Sequence, residues 1–300
     1  MYYLVYGILY LVSLLPFFIL YRISDFAFFL IYYVSGYRKS VVLNNLHIAF
    51  PEKRDEELKG IIRKFYLNLT DTFIETIKLM SISKKSLDKR GIVDFEVINK
   101  LLEKGLTLQI HSGHQMNWEY AHLVFAKKAT VPWVGVYMQI SNPLMNKLFL
   151  KIRSRFNAKM IAARDFTRSI RSFYGTQHML ALIGDQNPGY PKNAQWLYFF
   201  TKPAPFLASP EKGAIRNKTA VVFVNFIKIK RGYYRFMPQL ITENAANFKV
   251  GELTLMYRDF LETCIRAQPD NYLWSHRRWK FNYEEELYDK WIDKKDPPIV

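Results

Sequence analysis

Residues 1–20, MYYLVYGILYLVSLLPFFIL, carry no charged side chain. About twenty apolar residues are what a helix needs to cross a bilayer, so this run constrains the chain more than any other feature. A cleaved secretion signal is the rival reading. It calls for a basic segment before the apolar run and a small-residue cleavage site after it, and the sequence has neither. The run is therefore read as a retained anchoring helix. The next stretch, YRISDFAFFLIYYVSGYRKS, is apolar but broken by Arg22 and Asp25. It is expected to lie against the membrane interface or the protein body. Arg22, Arg38 and Lys39 follow the anchor, and positive flanks stay in the cytoplasm. Residues 1–37 are thus assigned to a single anchor with its interfacial segment, and residues 38–300 to one globular domain on the cytoplasmic side.

Charge narrows the partners. The net charge of +17 and pI near 9.7 favour anionic ones, such as an anionic membrane surface, phosphorylated lipids, acidic proteins or nucleic acid. No recognisable nucleic-acid motif is present, which leaves a non-catalytic, membrane-anchored basic binding protein as the weaker alternative. The single cysteine, Cys264, excludes an internal disulfide and any cysteine-based metal site.

Beyond residue 37 the chain alternates. Residues 38–80 read as helices, with Leu58, Ile61, Ile62, Phe65, Leu69, Phe73 and Ile77 at helical spacing. LTLQI, TVPWVGVYM, AKMIAA and HMLALIG read as strands, separated by helical segments that include NPLMNKLFLKIRSRF and RDFTRSIRSFYGT. TAVVFVNFIKIKRGYYRFMPQL carries a hairpin or meander, and residues 290–300 a surface extension. This pattern predicts an α/β fold: a central mixed, mainly parallel sheet with helices on both faces.

The chemistry concentrates in HSGHQMNWEYAHL, residues 111–123, just after LTLQI. Ligands of open α/β sheets sit at the carboxyl ends of the strands, which is where His114 falls. Glu119 is five residues later, in the first turns of a predicted helix. With His114 in the loop before that helix, its ring can fold back toward Glu119, giving a base held by a carboxylate. Such a pair takes a proton from a hydroxyl nucleophile. His111 with His114 lacks the helical two-histidine spacing of zinc motifs, so no metal is expected. His122 reads as core packing, and Asn117 as a helix cap or a polar substrate contact.

The H-x4-E arrangement resembles the H-x4-D/E motif of glycerolipid acyltransferases. A longer resemblance, spanning about residues 1–285 in order, is to the late (lauroyl and myristoyl) acyltransferases of lipid A biosynthesis. It is carried by NNLHIAFPEK, NPLMNKLFLKIRSRFNAKMI, IGDQNPG, YFFTKPAPF and QPDNYLWSHRRWK. The amide-rich residues between His114 and Glu119 depart from the pattern, which leaves a lysophospholipid, an aminolipid or another glycolipid open as acceptor.

The resemblance implies an O-acyltransferase at the inner membrane. Its acyl donor would be acyl carrier protein, its acceptor a hydroxyl of a phosphorylated lipid A precursor, and no cofactor is needed because a thioester is already activated. His114 would be the base and Glu119 its orienting partner, with Arg153 and Asp185 also catalytic. Backbone N–H groups at the start of the helix after His114 are expected to help bind the oxyanion. Arg155, Arg164, Arg168 and Arg171 are candidates for lipid phosphate or the acidic carrier. Phe199, Phe200 and Phe206 are candidates for the acyl-chain pocket. HRRWK, residues 276–280, suits either a membrane interface or a packing motif.

Overall fold

The computed structural model describes residues 2–299. Pro16 splits the uncharged N-terminal run. Helix α1 (Tyr2–Leu14) ends before it, and α2 (Phe17–Phe29) starts after it, continuing in wider turns through Ser35. Proline has no N–H to donate and fixes its own φ, so it begins a helix and does not continue one. The expected single helix over 1–20 is therefore two. The stretch long and apolar enough to cross a membrane is Phe17–Ser35, 19 residues with mean hydropathy 1.6. The segment boundary read at residue 37 falls in a turn where Gly36 and Arg38 both have positive φ.

Helices α3 (Lys39–Ala49) and α4 (Asp55–Lys78) follow. Acidic Asp55, Glu56 and Glu57 in the first turn of α4 favour its N-terminal dipole. Leu58, Ile62, Phe65 and Leu69 bury one stripe, as the periodicity predicts, but Phe73 is exposed. The buried face continues instead through Asp71, Thr72, Glu75 and Thr76, because polar partners from α2 and the sheet meet it there.

The rest of the chain is α/β. In chain order come α5 (Lys84–Arg90), β1 (Gly91–Val93), α6 (Glu96–Glu103), β2 (Leu108–Ser112), α7 (Trp118–Lys128), β3 (Trp133–Tyr137) and α8 (Pro143–Arg153). These are followed by β4 (Lys159–Ala162), α9 (Phe166–Ser169), β5 (Met179–Ile183), β6 (Gln195–Phe199), β7 (Lys202–Phe206) and α10 (Ser209–Asn217). The last elements are β8 (Ala220–Lys230), β9 (Tyr233–Thr242) and α11 (Glu252–Ala267). Seven strands form one sheet in the order β1-β9-β8-β2-β5-β3-β4, antiparallel only between β8 and β9, and β6 pairs with β7 in a separate hairpin. The segment read as one helix around Arg168 is broken, since α9 is flanked by 3-10 turns.

Strand alternation divides the core. Ile110, Val222 and Val224 pack with Leu123, Val124 and Phe125 of α7, while Val221 and Phe223 pack with Tyr257, Leu261 and Ile265 of α11. Each fully buried Leu, Val or Phe here contributes roughly 1.5–3 kcal/mol. This seam holds α7, and so the loop before it, rigidly over the carboxyl ends of β2 and β5. Residues 290–299 are less peripheral than expected. Trp291 packs on the Trp196 cluster, and Asp293 accepts from Tyr198 N at 2.9 Å and Arg258 Nη1 at 2.8 Å.

Candidate active site

β2 and β5 are neighbours in register, Ser112 opposite Ile183, so the turns beyond their carboxyl ends meet. Gly113 makes that approach possible. A Cβ there would come within 2.6 Å of Leu261 Cδ2 and 3.7 Å of Asp185 Oδ2. His114 follows, and Asp185 is fully buried beneath it. The His114 backbone N–H donates to Asp185 Oδ2 at 3.0 Å, and the ring Nδ1 sits 2.6 Å from Oδ1. Burial alone would raise the Asp185 carboxyl. The His114 ring and its hydrogen bonds bring it down to about 2, so it stays ionised and holds Nδ1 as the protonated nitrogen. That leaves Nε2 to exchange a proton.

The expected partner of His114 was Glu119, and the structure corrects this. Glu119, also buried, binds Arg153: Nε lies 3.1 and 3.0 Å from its two oxygens, and Nη2 donates as well. Burial would raise the Glu119 carboxyl, but the adjacent guanidinium outweighs it and holds it below the usual range. Arg153 Nη1 makes no hydrogen bond among the described residues. His122 is more than core packing. It accepts from Trp133 Nε1 at Nδ1 (3.1 Å) and donates from Nε2 to the Arg153 carbonyl (2.8 Å), which ties the end of α8 to α7. Trp118 stands edge-on to the His114 ring, centroids 5.4 Å apart.

Asn117 is wholly buried, and its amide is taken up by protein partners. Its Oδ1 caps α7 by accepting from Glu119 N (3.0 Å) and Tyr120 N (3.2 Å), while its Nδ2 donates to Glu75 at 3.0 Å. These two helix-start N–H groups are thereby taken up by the cap. Glu75, which sequence reasoning missed, also accepts from Tyr21 Oη (3.0 Å) and Tyr234 Oη (2.7 Å). Burial raises its carboxyl, with Lys228 and the Tyr234 bond only partly offsetting it. The signal in the sequence was a carboxylate interrupting the apolar stripe of α4.

His114, Glu119 and Arg153 face a cavity of about 560 Å³ lined by apolar side chains that include Ile110, Phe125, Trp133, Met160, Ile183 and Phe226. Arg155 is not at this site. It donates to the Leu79 carbonyl and, at 2.9 Å, to that of Ile82, fastening α8 to the end of α4. Arg164, Arg168 and Arg171 are exposed beside α9, which covers the opposite face of the sheet and does not border the His114 cavity. Phe199 and Phe206 are core residues that meet edge to face, Phe199 also stacks on Trp279, and Phe200 packs against that cluster. They do not line the cavity.

The C-terminal block is a packing motif. Trp274 and Trp279 are buried. Leu273 N donates to the His114 carbonyl at 3.1 Å, and Met116 N to that of Asn271 at 2.9 Å. Arg278, also buried, donates to Asn187 Oδ1 (3.1 Å) and the Pro205 carbonyl (2.9 Å), so it holds the turn after Asp185. Three segments distant in sequence thus fix one imidazole: the β5 turn, α7 and residues 271–278.

A family model described as bacterial lipid A biosynthesis acyltransferase matches residues 1–281. The lipid A biosynthesis lauroyltransferase of Escherichia coli (strain K12) is 23% identical over 282 residues, covering 91% of this chain and 89% of that relative.

Proposed function

This chain belongs to the bacterial lipid A biosynthesis acyltransferase family, and on that premise we propose that it moves a fatty acyl chain from acyl carrier protein to a hydroxyl of a phosphorylated lipid A precursor. His114 Nε2 takes the hydroxyl proton while the oxygen attacks the thioester carbonyl. The new O–C bond forms, the C–S bond breaks as the oxyanion collapses, and the imidazolium returns the proton to the leaving sulfur. Asp185 holds the tautomer and stabilises the imidazolium. Arg153, kept in place by Glu119, supplies Nη1 to the oxyanion or to an acceptor phosphate. The acyl chain lies in the apolar cavity. No cofactor takes part.

The observation that carries this reading is the His114–Asp185 pair opening onto an apolar cavity that also holds an anchored guanidinium. The high positive charge suits an acidic carrier and phosphorylated lipid. The apolar N-terminal segment suits an enzyme held at the cytoplasmic side of the inner membrane. The test supplies labelled acyl–acyl carrier protein and a tetra-acylated, phosphorylated lipid A precursor to membranes bearing the wild type or His114→Ala. Transfer lost in the variant, with an acyloxyacyl product by mass spectrometry, is the expected result. No transfer to this acceptor, with transfer to a lysophospholipid or aminolipid offered in parallel, would overturn the acceptor. Full transfer by His114→Ala would overturn the mechanism.

A further inference from the structure

Half of the exposed large hydrophobic side chains among the described residues, fourteen of twenty-eight, lie between Tyr3 and Tyr37. They form stripes. Leu4, Ile8, Leu11 and Leu14 run along α1, and Phe18, Phe26, Phe29 and Tyr33 run along α2 and its continuation. A contiguous apolar face of this kind marks a membrane or partner surface. Its inner side is tied down along its whole length.

The ties at the middle of α2 are polar. Ser24 Oγ donates to Asp71 at 2.8 Å, Tyr21 Oη donates to Glu75 at 3.0 Å, and Asp25 pairs with Arg231 at 2.7 Å. Arg231, in the β8–β9 turn, also binds Asp71 through Nε and Nη2. The end of α1 is held by Lys78 Nζ on the Ser13 and Leu15 carbonyls (2.7 and 2.9 Å) and by Ser81 Oγ on the Ser13 carbonyl (2.7 Å). Lys147 and Lys151 of α8 stand 4.3 and 3.9 Å from the rings of Tyr2 and Tyr6, and Arg90 stacks 3.3 Å from Phe17.

Phe17–Ser35 would span about 28 Å as a helix, so its midpoint lies next to Asp25. Crossing a bilayer would place Arg22, Asp25, Arg231 and Asp71 at the hydrocarbon centre, where charged side chains are most expensive. It would also drag the catalytic domain in with them. Pulling α2 free would take Ser24 from Asp71, Tyr21 from Glu75 and Asp25 from Arg231. Lying along the surface avoids both, since the exposed stripes enter the acyl region and the polar ties stay with the body.

We infer that α1 and α2 seat this protein in a single lipid leaflet without crossing it, so that the ends of both helices emerge on the side that holds the catalytic domain. The inference rests on the membrane reading above, but its readout is topology and is independent of transfer. Cys264 is 4% exposed, so a membrane-impermeant maleimide reports only introduced thiols. One chain carries Gly-Ser-Cys added ahead of residue 1, and a second carries Tyr288→Cys at an exposed site on the body. Both are labelled in sealed everted and right-side-out membrane vesicles. Labelling of both thiols from the same side is expected, and labelling from opposite sides would overturn the inference. A second measurement floats the purified chain on phosphatidylethanolamine–phosphatidylglycerol vesicles. The double substitution Phe18→Asp with Phe26→Asp, at positions 71% and 63% exposed, is expected to cut the floated fraction at least tenfold with an unchanged melting temperature. Undiminished flotation would show that this face does not contact the lipid.

Discussion

Asp185→Asn is the substitution that reads the proposed mechanism most directly. The wild-type carboxylate accepts from the His114 backbone N–H at 3.0 Å and from ring Nδ1 at 2.6 Å. An asparagine has one acceptor and one donor. The backbone N–H cannot reverse, so the amide oxygen stays with it and the amide NH2 turns toward Nδ1. The ring must then accept at Nδ1, which places its proton on Nε2, the nitrogen needed as base. The wrong tautomer at a base of this type lowers kcat by roughly 10³–10⁴-fold. KM should change less than about threefold, because Asp185 is beneath the imidazole and is not itself part of the cavity lining. The depressed carboxyl also has a stability consequence. A pKa brought from 3.8 to about 2 corresponds to about 2 kcal/mol. Because the folded value is the lower one, this stabilisation is present above pH 4 and is lost as pH falls from about 4 toward 2. The assay is steady-state transfer from labelled acyl–acyl carrier protein, with thermal melts of both proteins at pH 7 and pH 3. Wild type should exceed the variant in melting temperature at pH 7, and the gap should narrow at pH 3. A variant keeping more than a tenth of wild-type kcat would refute the assignment of Asp185 as the group that sets the His114 tautomer.

Arg153→Lys keeps the charge but loses the forked grip on Glu119, so kcat is expected to fall roughly 10–100-fold while His114 keeps its partner; an unchanged kcat would remove Arg153 from the reaction. Glu75→Gln should stay within about 1 kcal/mol of wild type, since the carboxyl is already raised by burial and an amide can serve the same hydroxyls. Glu75→Ala leaves Tyr21, Asn117 and Tyr234 unpaired and should cost at least about 3 kcal/mol, a difference that urea unfolding resolves. Phe199→Ala is expected to cost about 3–5 kcal/mol yet leave the ratio of transfer from donors of different chain length unchanged; a shifted ratio would return Phe199 to the acyl pocket.

The sequence by itself determined the class of fold and the place of the chemistry. Strand and helix periods are local, so an α/β sheet was legible, as was His114 beyond the end of β2. Asp185 could be placed after a buried strand in the same way, but its part in the chemistry came only from the family resemblance. The pairing was not legible. His114 and Asp185 are 71 residues apart, and they meet because β2 and β5 are adjacent and in register, which depends on strand order. Glu119 is close to His114 in sequence, but the helix that starts at Trp118 turns it toward Arg153. Asn117 looked available to a substrate until α4 and the sheet closed over it. The N-terminal run was read correctly as apolar, while its division at Pro16 and its polar fastening to Asp71, Glu75 and Arg231 needed elements 47 and 206 residues away from Ser24 and Asp25. Local composition fixes which side chains seek lipid, core or water. Which carboxylate holds which cation is decided by packing, because a buried charge is tolerable only beside the partner that the tertiary structure brings to it.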